Sequence, residues 1–127
     1  MQRLRVLLID DEPRLRKTVA ALLGKEHEVV EAGDGQEALD VLRSEPTFDA
    51  ILCDLRMPGM AGTEVYEAIC AQNPEMARRF ALLTGGTFTP PLKRLVDSGN
   101  ITVLTKPCGR RELLDTIETL AAGGATS

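Results

Sequence analysis

The sequence predicts a doubly wound α/β fold, because short β-forming runs alternate with amphipathic segments along the chain. Five apolar runs are separated by segments whose apolar residues recur at helical spacing, and each connection is short. Strands that alternate with helices in this way form a parallel sheet with right-handed crossovers and helices on both faces. We therefore expect a flavodoxin-like fold, with five strands in the order 2-1-3-4-5 and five helices.

The first two helices are delimited by turn residues. The five strands are expected at 4–9, 28–32, 49–53, 80–83 and 101–104. Pro13 suits the first turn of the first helix, and Gly24 ends its apolar pattern. That pattern consists of Leu15, Val19, Leu22 and Leu23. The turn Gly33-Asp34-Gly35 begins the second helix, and Pro46 closes it.

The later helices are predicted in the same way. A third helix is expected over 63–72, ended or kinked by Asn73-Pro74. A short, marginal helix begins at Pro90-Pro91 and ends at Gly99. The last helix runs from about 110 to 120. We expect one domain over residues 1–121, followed by a flexible tail over 122–127.

Composition excludes several classes of protein. A chain of 127 residues is long enough for one ordinary core and no more. The net charge of −4 argues against direct nucleic-acid binding through a basic surface. No apolar run is long enough to span a bilayer, and the first residues lack the apolar core of a signal peptide. We expect a cytoplasmic protein without membrane insertion.

Cysteine and histidine offer no site of their own. Cys53, Cys70 and Cys108 share no metal-ligand spacing, so we interpret them as reduced thiols, with Cys53 packed in the core. His27 lies in a polar stretch at the start of the second strand, and we expect it at the surface, far from the active edge of the sheet.

Polar residues follow four of the predicted strands. The acidic pair Asp10-Asp11 follows the first, Asp54 the third, Thr84 the fourth and Lys106 the fifth. Because the carboxyl ends of parallel strands meet at one edge, near the switch point, we expect these side chains to lie together. Each residue also has an ordinary structural interpretation: a helix cap, the end of a strand or a surface turn.

The combination predicts phosphoryl chemistry. Three carboxylates repel each other, on the order of 4 kcal/mol per pair at about 4 Å and an effective dielectric near 20, so they require a cation. Oxygen ligands favour Mg²⁺, which leaves coordination positions for a phosphoryl group. With Lys106 on the other side of the phosphoryl group from the metal ion, Asp54 can attack phosphorus and form an acyl phosphate. Thr84 can then donate a hydrogen bond to a phosphoryl oxygen.

These residues resemble the receiver domain of two-component response regulators, from about Arg3 to Leu120. The family has an acidic pair after the first strand, Asp with a following Met-Pro and Gly after the third, Ser or Thr after the fourth, and Lys-Pro after the fifth. The matching residues here are Asp10-Asp11, Asp54 with Met57-Pro58 and Gly62, Thr84, and Lys106-Pro107.

The resemblance implies a role for each site residue. Asp54 would accept phosphate from the phosphohistidine of a sensor histidine kinase or a histidine phosphotransfer domain, and the change would be passed to an unknown downstream protein. Asp11, Asp54 and the backbone carbonyl of Arg56 would bind Mg²⁺, with Asp10 acting through a water molecule. Lys106 would bind the phosphoryl group, its peptide bond to Pro107 would be cis, and Thr84 would be the switch hydroxyl. Such a domain catalyses only its own phosphotransfer and slow dephosphorylation.

One position departs from the family pattern. The family commonly has Tyr or Phe three residues before the lysine, and this chain has Val103. We interpret Val103 as part of a buried strand. We favour this interpretation over one in which Phe88 replaces the missing aromatic ring. The loop Thr84-Gly-Gly-Thr-Phe-Thr-Pro90 is also similar to loops in receiver domains attached to hybrid histidine kinases, a weaker match.

Three other classes of function are compared with this one. A pseudo-receiver would keep the fold as a docking module without phosphorylation, but its usual sign is a missing acidic pair or lysine, and none is missing here. A haloacid-dehalogenase-type phosphatase needs a second Asp two residues after the nucleophile, and that position is Arg56. A DNA-binding regulator would need a helix-turn-helix segment, for which the sequence has no room.

Overall fold

A computed structural model describes residues 3–45, 47–86, 89–99 and 101–123. Strands and helices alternate along these residues. The strands are β1 (Arg5–Ile9), β2 (Glu28–Ala32), β3 (Ala50–Asp54), β4 (Phe80–Thr84) and β5 (Thr102–Thr105). The helices are α1 (Pro13–Leu23), α2 (Gly35–Ser44), α3 (Gly62–Gln72), α4 (Pro74–Ala77), α5 (Pro90–Ser98) and α6 (Arg110–Ala121).

The strands form one parallel sheet in the order β2-β1-β3-β4-β5. The expected fold class and strand order are confirmed. The register places Ile9 opposite Cys53, Asp54 opposite Leu83 and Thr84 opposite Thr105. All strands therefore end at the same edge of the sheet, with β1 and β3 adjacent at its centre.

The sheet separates two hydrophobic layers, because successive residues of a strand point to opposite faces. On one face, Leu7 and Ile9 of β1 belong to a cluster with apolar residues of α2, α3, α4 and α5. On the other face, Val6 and Leu8 pack with α1 and α6. Cys53 is fully buried in the first cluster, as expected for a packing residue.

Side-chain caps fix the beginnings of two helices. The Asp34 carboxylate accepts a hydrogen bond from the Glu37 amide at 2.7 Å at the start of α2. The Thr89 hydroxyl accepts one from the Leu92 amide at 3.3 Å at the start of α5. Helix α5 ends at Gly99, whose φ of +75° is a left-handed conformation that suits glycine.

The structure corrects the expected number of helices. Asn73 ends α3, but its side chain also accepts a hydrogen bond from the Met76 amide, at 3.4 Å, and begins the short helix α4. The described residues therefore contain six helices rather than five. The sequence marked this point only as the end or kink of a helix.

The expectation that His27 lies at the surface is wrong. Its side chain is fully buried, and its Nδ1 accepts a hydrogen bond from the Leu4 amide at 3.1 Å. It precedes β2, so it lies at the end of the sheet opposite the strand termini that carry the acidic residues. Helix α1 differs from its pattern as well: Leu23 is buried, but Leu15 and Leu22 are 51% and 38% exposed.

Three further expectations fall outside the described residues: the helix end at Pro46, the part played by Phe88, and most of the tail, residues 124–127. Within the described ranges, no helix is both long enough and apolar enough to cross a membrane.

Candidate functional site

The acidic pair lies where β1 ends. The Asp10 amide donates to the Ala32 carbonyl of β2 at 3.1 Å, which extends the strand pairing by one residue. The Asp10 carboxylate accepts a hydrogen bond from the Glu12 amide at 2.9 Å. Asp10 is therefore held at both its backbone and its side chain and is only 5% exposed, whereas Asp11 is partly exposed.

Asp54 is the last residue of β3, and it is 8% exposed. The next amide, that of Leu55, still donates to the Leu83 carbonyl of β4 at 2.9 Å, so the strand direction is maintained beyond Asp54. The chain then turns through 56–61 and returns at Gly62, whose amide donates to the Leu55 carbonyl at 2.8 Å. This return fixes the backbone beside the Asp54 carboxylate.

The three carboxylates converge at this edge. One oxygen from each of Asp10, Asp11 and Asp54 lies within 4.8 Å of the other two. This is the one group of three or more potential metal ligands found among the described residues. An all-oxygen set of this size, partly open to solvent at Asp11, fits the ligand preference of Mg²⁺. These residues can therefore hold such an ion.

Lys106 supplies a positive charge to the same cluster. Its Nζ lies 2.5 Å from Oδ1 of Asp54. Its amide donates to the Thr84 carbonyl at 2.7 Å, and the Lys106–Pro107 peptide bond is cis, as expected. Burial raises the pKa of the Asp54 carboxyl above its ordinary value, Lys106 lowers it, and the neighbouring carboxylates of Asp10 and Asp11 raise it.

Thr84 closes the neighbouring strand, and its side chain is almost fully buried. The hydroxyl oxygen accepts a hydrogen bond from the Gly86 amide at 3.3 Å. This contact ties the side chain to the start of the loop that follows β4. Thr84 is one residue beyond Leu83, the β4 partner of Asp54, so the predicted switch residue lies on the strand adjacent to the predicted acceptor.

Two further residues that the sequence pattern singled out, Arg56 and Val103, lie in different environments. Arg56 is exposed in the loop after Asp54. Val103 is partly buried and packs against the cluster on the α2 to α5 face of the sheet. The interpretation of Val103 as a packed strand residue agrees with this environment.

The sequence pattern did not predict that Arg16 contacts the site. Arg16 of α1 donates from Nη1 to the Asp10 carbonyl at 2.8 Å, and its Nε bonds the Glu31 carboxylate at 3.0 Å. It lies on a helix among other cations, so neither its spacing nor its residue type distinguishes it from an exposed helical arginine. Only the folded arrangement of β1, β2 and α1 shows where its guanidinium group lies.

Comparison with known families identifies the chain. The model of the response regulator receiver domain matches residues 6–118, nearly the whole chain. This chain belongs to the response regulator receiver domain family. The fold described above is thus that of a receiver domain of two-component systems.

Relatives carry this receiver domain in different settings. The chain is 34% identical over 122 residues to the nitrate/nitrite response regulator protein NarP of Escherichia coli strain K12, covering 93% of this chain and 55% of NarP. It is 34% identical over 117 residues to the sensor protein GacS of Pseudomonas syringae pv. syringae, covering 89% of this chain and 13% of GacS. It therefore spans less than two thirds of each of these proteins.

A solved structure gives the same assignment. The chemotaxis protein CheY4 of Vibrio cholerae superposes with a TM-score of 0.79 at 31% sequence identity. The match covers 93% of this chain and 98% of that one. The similarity thus extends over the complete receiver fold and is not limited to the acidic motif.

Proposed function

We propose that this receiver domain accepts a phosphoryl group on Asp54 and thereby changes a protein-binding surface. The observation that carries the proposal is the position of the Asp54 carboxylate between a cation and two further carboxylates: Lys106 Nζ lies 2.5 Å away, and oxygens of Asp10 and Asp11 lie within 4.8 Å. This is an arrangement in which one carboxylate can attack phosphorus while opposite charges balance the transferred oxygens.

The donor would be the phosphohistidine of a sensor histidine kinase or a histidine phosphotransfer domain. An Asp54 carboxylate oxygen attacks phosphorus and the phosphorus–nitrogen bond breaks. The imidazole leaves with the electron pair of that bond and takes up a proton from solvent. The name of the relative GacS, a sensor protein, supports a kinase as partner. The acidic net charge of the chain supports a protein rather than DNA as the direct downstream partner, and we place the reaction in the cytoplasm.

Asp11, Asp54 and the backbone carbonyl of Arg56 would hold Mg²⁺, with Asp10 acting through a water molecule. The ion, when bound, neutralises the developing charge on the phosphoryl oxygens. The Lys106 ammonium group, which follows β5, would also neutralise charge on the phosphoryl oxygens. The Thr84 hydroxyl would exchange its present contact with the Gly86 amide for a bond to a phosphoryl oxygen, which would move the loop after β4.

Turnover of small phosphoesters is not part of the proposal. A phosphatase of the dehalogenase type places a general acid two residues after the nucleophile, and that position is the exposed Arg56. The domain would therefore catalyse its own phosphorylation and a slow hydrolysis of the acyl phosphate.

Intact mass spectrometry tests the proposal. The chain is incubated with acetyl phosphate and Mg²⁺, together with the variant Asp54→Asn, which keeps the shape of the side chain but removes the nucleophilic carboxylate. We expect a gain of one phosphoryl group in the wild type alone. An equal gain in Asp54→Asn would contradict the assignment, and no gain with either acetyl phosphate or a phosphorylated histidine phosphotransfer domain would favour a docking module.

A further inference from the structure

The backbone of the acidic pair has an anchor outside the set of site residues. The Asp10 carbonyl lies just beyond β1, and it accepts a hydrogen bond from Nη1 of Arg16 at 2.8 Å. The Asp10 amide is held on the other side by Ala32 of β2, at 3.1 Å. Both backbone polar groups of Asp10 are therefore fixed by contacts from elements other than β1.

Arg16 is itself held in place. Its Nε bonds Oε1 of Glu31 at 3.0 Å, and its side chain is only 15% exposed. Glu31 lies on β2, opposite Leu8 of β1. Because the guanidinium group is planar and its donors have a fixed geometry, two simultaneous contacts determine its orientation. Arg16 thus links α1 and β2 to the backbone that carries the acidic pair.

The positive charge of Arg16 is not the feature that sets it apart at this site. Glu31, at 3.0 Å, offsets much of that charge, and Lys17 Nζ lies 3.7 Å from the same carboxylate oxygen. The distinctive feature is the directed hydrogen bond to a main-chain carbonyl next to two carboxylates. Groups that orient the ligands of a metal ion, rather than bind it, commonly change metal affinity by about tenfold or more when removed.

We propose that Arg16 is a positioning residue for the Mg²⁺ site: by holding the Asp10 carbonyl, it sets the carboxylates of Asp10 and Asp11 at the distances that the ion requires. This inference rests on the proposed function, because it presumes that the carboxylate cluster binds Mg²⁺. Arg16 does not contact the ion or the phosphoryl group. Its effect is on the affinity of the folded domain for Mg²⁺ and on the Mg²⁺ concentration that phosphorylation requires.

The test is Mg²⁺ affinity measured by isothermal titration calorimetry with MgCl₂, on the full chain, at a temperature where circular dichroism shows each variant folded. Arg16→Met removes both contacts, and Arg14→Met is the matched control, because it removes one positive charge from an exposed position of the same helix. We expect Arg16→Met to weaken Mg²⁺ binding by about tenfold and Arg14→Met by less than about twofold.

A second pair of measurements separates positioning from a merely structural role. With acetyl phosphate, Arg16→Met should raise the Mg²⁺ concentration for half-maximal phosphorylation, while the rate at saturating Mg²⁺ stays near that of the wild type. A structural role would lower the urea midpoint but leave the Mg²⁺ affinity of the folded protein unchanged. Arg16→Lys, which keeps the charge but not the planar fork, should bind Mg²⁺ with intermediate affinity.

Each outcome of the titration has one meaning. If Arg16→Met folds and binds Mg²⁺ within about twofold of the wild type, or no worse than Arg14→Met, the assignment of Arg16 is wrong and the proposed function stands. If Arg16→Met does not fold, the Mg²⁺ affinity of Arg16→Lys is compared with that of Arg14→Met, and an affinity no lower than that of Arg14→Met would show that the assignment is wrong. If the wild type itself binds no Mg²⁺, the proposed metal site is wrong, and the role of Arg16 falls with it.

Discussion

Gly62 leaves no room for a side chain beside the end of β3, the strand that carries Asp54. A Cβ atom at this position would lie 2.5 Å from the Asp54 carbonyl oxygen, 2.5 Å from Leu82 Cδ2 and 3.0 Å from Leu55 Cα. Two of these neighbours are backbone atoms that cannot move independently. The glycine is thus required by the close return of the chain after 56–61, and not by an unusual φ angle.

Gly62→Ala should therefore destabilise the fold, by about 1–3 kcal/mol, as overpacking of a core does. The control is Gly85→Ala, because a Cβ there would meet no atom within 4 Å. Urea unfolding of both variants is the measurement. Equal stabilities for Gly62→Ala and the wild type would show that the backbone beside Asp54 makes room for a methyl group without cost.

His27 should make the stability of the domain depend on pH. Burial lowers the pKa of its imidazole below the ordinary value of 6.5, Glu118 and Asp49 raise it, and Arg3 lowers it. Since the folded pKa lies below the unfolded one, the stabilisation is present above about pH 6.5 and is lost as pH falls through the folded value. In the folded state the neutral Nδ1 accepts a hydrogen bond from the Leu4 amide, which an imidazolium cannot do.

Urea unfolding at about pH 7.5, 6 and 5 checks this expectation for the wild type and for His27→Gln, which does not titrate. The wild type should lose more stability on acidification than the variant, because the carboxylates contribute equally to both. Equal losses of stability in the wild type and in His27→Gln on acidification would contradict a contribution of His27 to the pH dependence. This burial could not be predicted, because a single histidine between charged residues is typical of a surface.

The start of helix α2 is held by two reciprocal contacts. The Asp34 carboxylate accepts from the Glu37 amide at 2.7 Å, and the Glu37 carboxylate accepts from the Gly33 amide at 2.6 Å. Asp34→Ala should cost about 1 kcal/mol of stability, the usual effect of losing such a cap. Asp97→Ala, at an exposed position of α5, is the control, and an equal effect of the two substitutions in thermal unfolding would contradict a special role for the cap.

Sequence patterns predicted most helices and strands because their signals are local. The strands were placed within one residue at each end, since apolar runs bounded by polar turns are unambiguous in a doubly wound sheet. Helix α4 was missed because four residues are too few to show a helical period, and the cap contact of Asn73 is visible only in the fold. In α1, helical spacing did not separate the buried Leu23 from the exposed Leu15, because the packing of α1 against β1, β2 and α6 decides which side of the helix is covered.

In the molecule as a whole, the site was predictable because topology gathers residues that are far apart in sequence. Once the strand order was inferred, Asp10, Asp11, Asp54 and Lys106 had to meet at one edge, and the structure brings these four together. Arg16 was not predictable, because its contact depends on the path of one side chain across two elements. The sequence pattern thus located the cluster of charged side chains, and the folded structure showed the contact of Arg16 with the Asp10 backbone.

Mg²⁺ should stabilise the whole domain, because it relieves the repulsion among three carboxylates that are held together only in the folded state. A ligand at about 100 times its Kd adds roughly 2.7 kcal/mol to the free energy of unfolding. Asp11→Ala should abolish this increase, and Asp97→Ala, at an exposed position of α5, should preserve it. Thermal melts with and without MgCl₂ measure the effect, and a melting temperature of Asp11→Ala that still rises would contradict the assigned ligands.

Locating the phosphoryl group itself would decide whether Asp54 is the acceptor. After reaction with acetyl phosphate and Mg²⁺, borohydride reduction converts an aspartyl phosphate to homoserine, which peptide mapping can assign to one position. We expect homoserine at position 54 in the wild type, dependent on Mg²⁺ and sharply reduced in Lys106→Met. Conversion at Asp10 or Asp11 instead, or at no carboxylate in a chain that has gained a phosphoryl group, would show that Asp54 is not the acceptor.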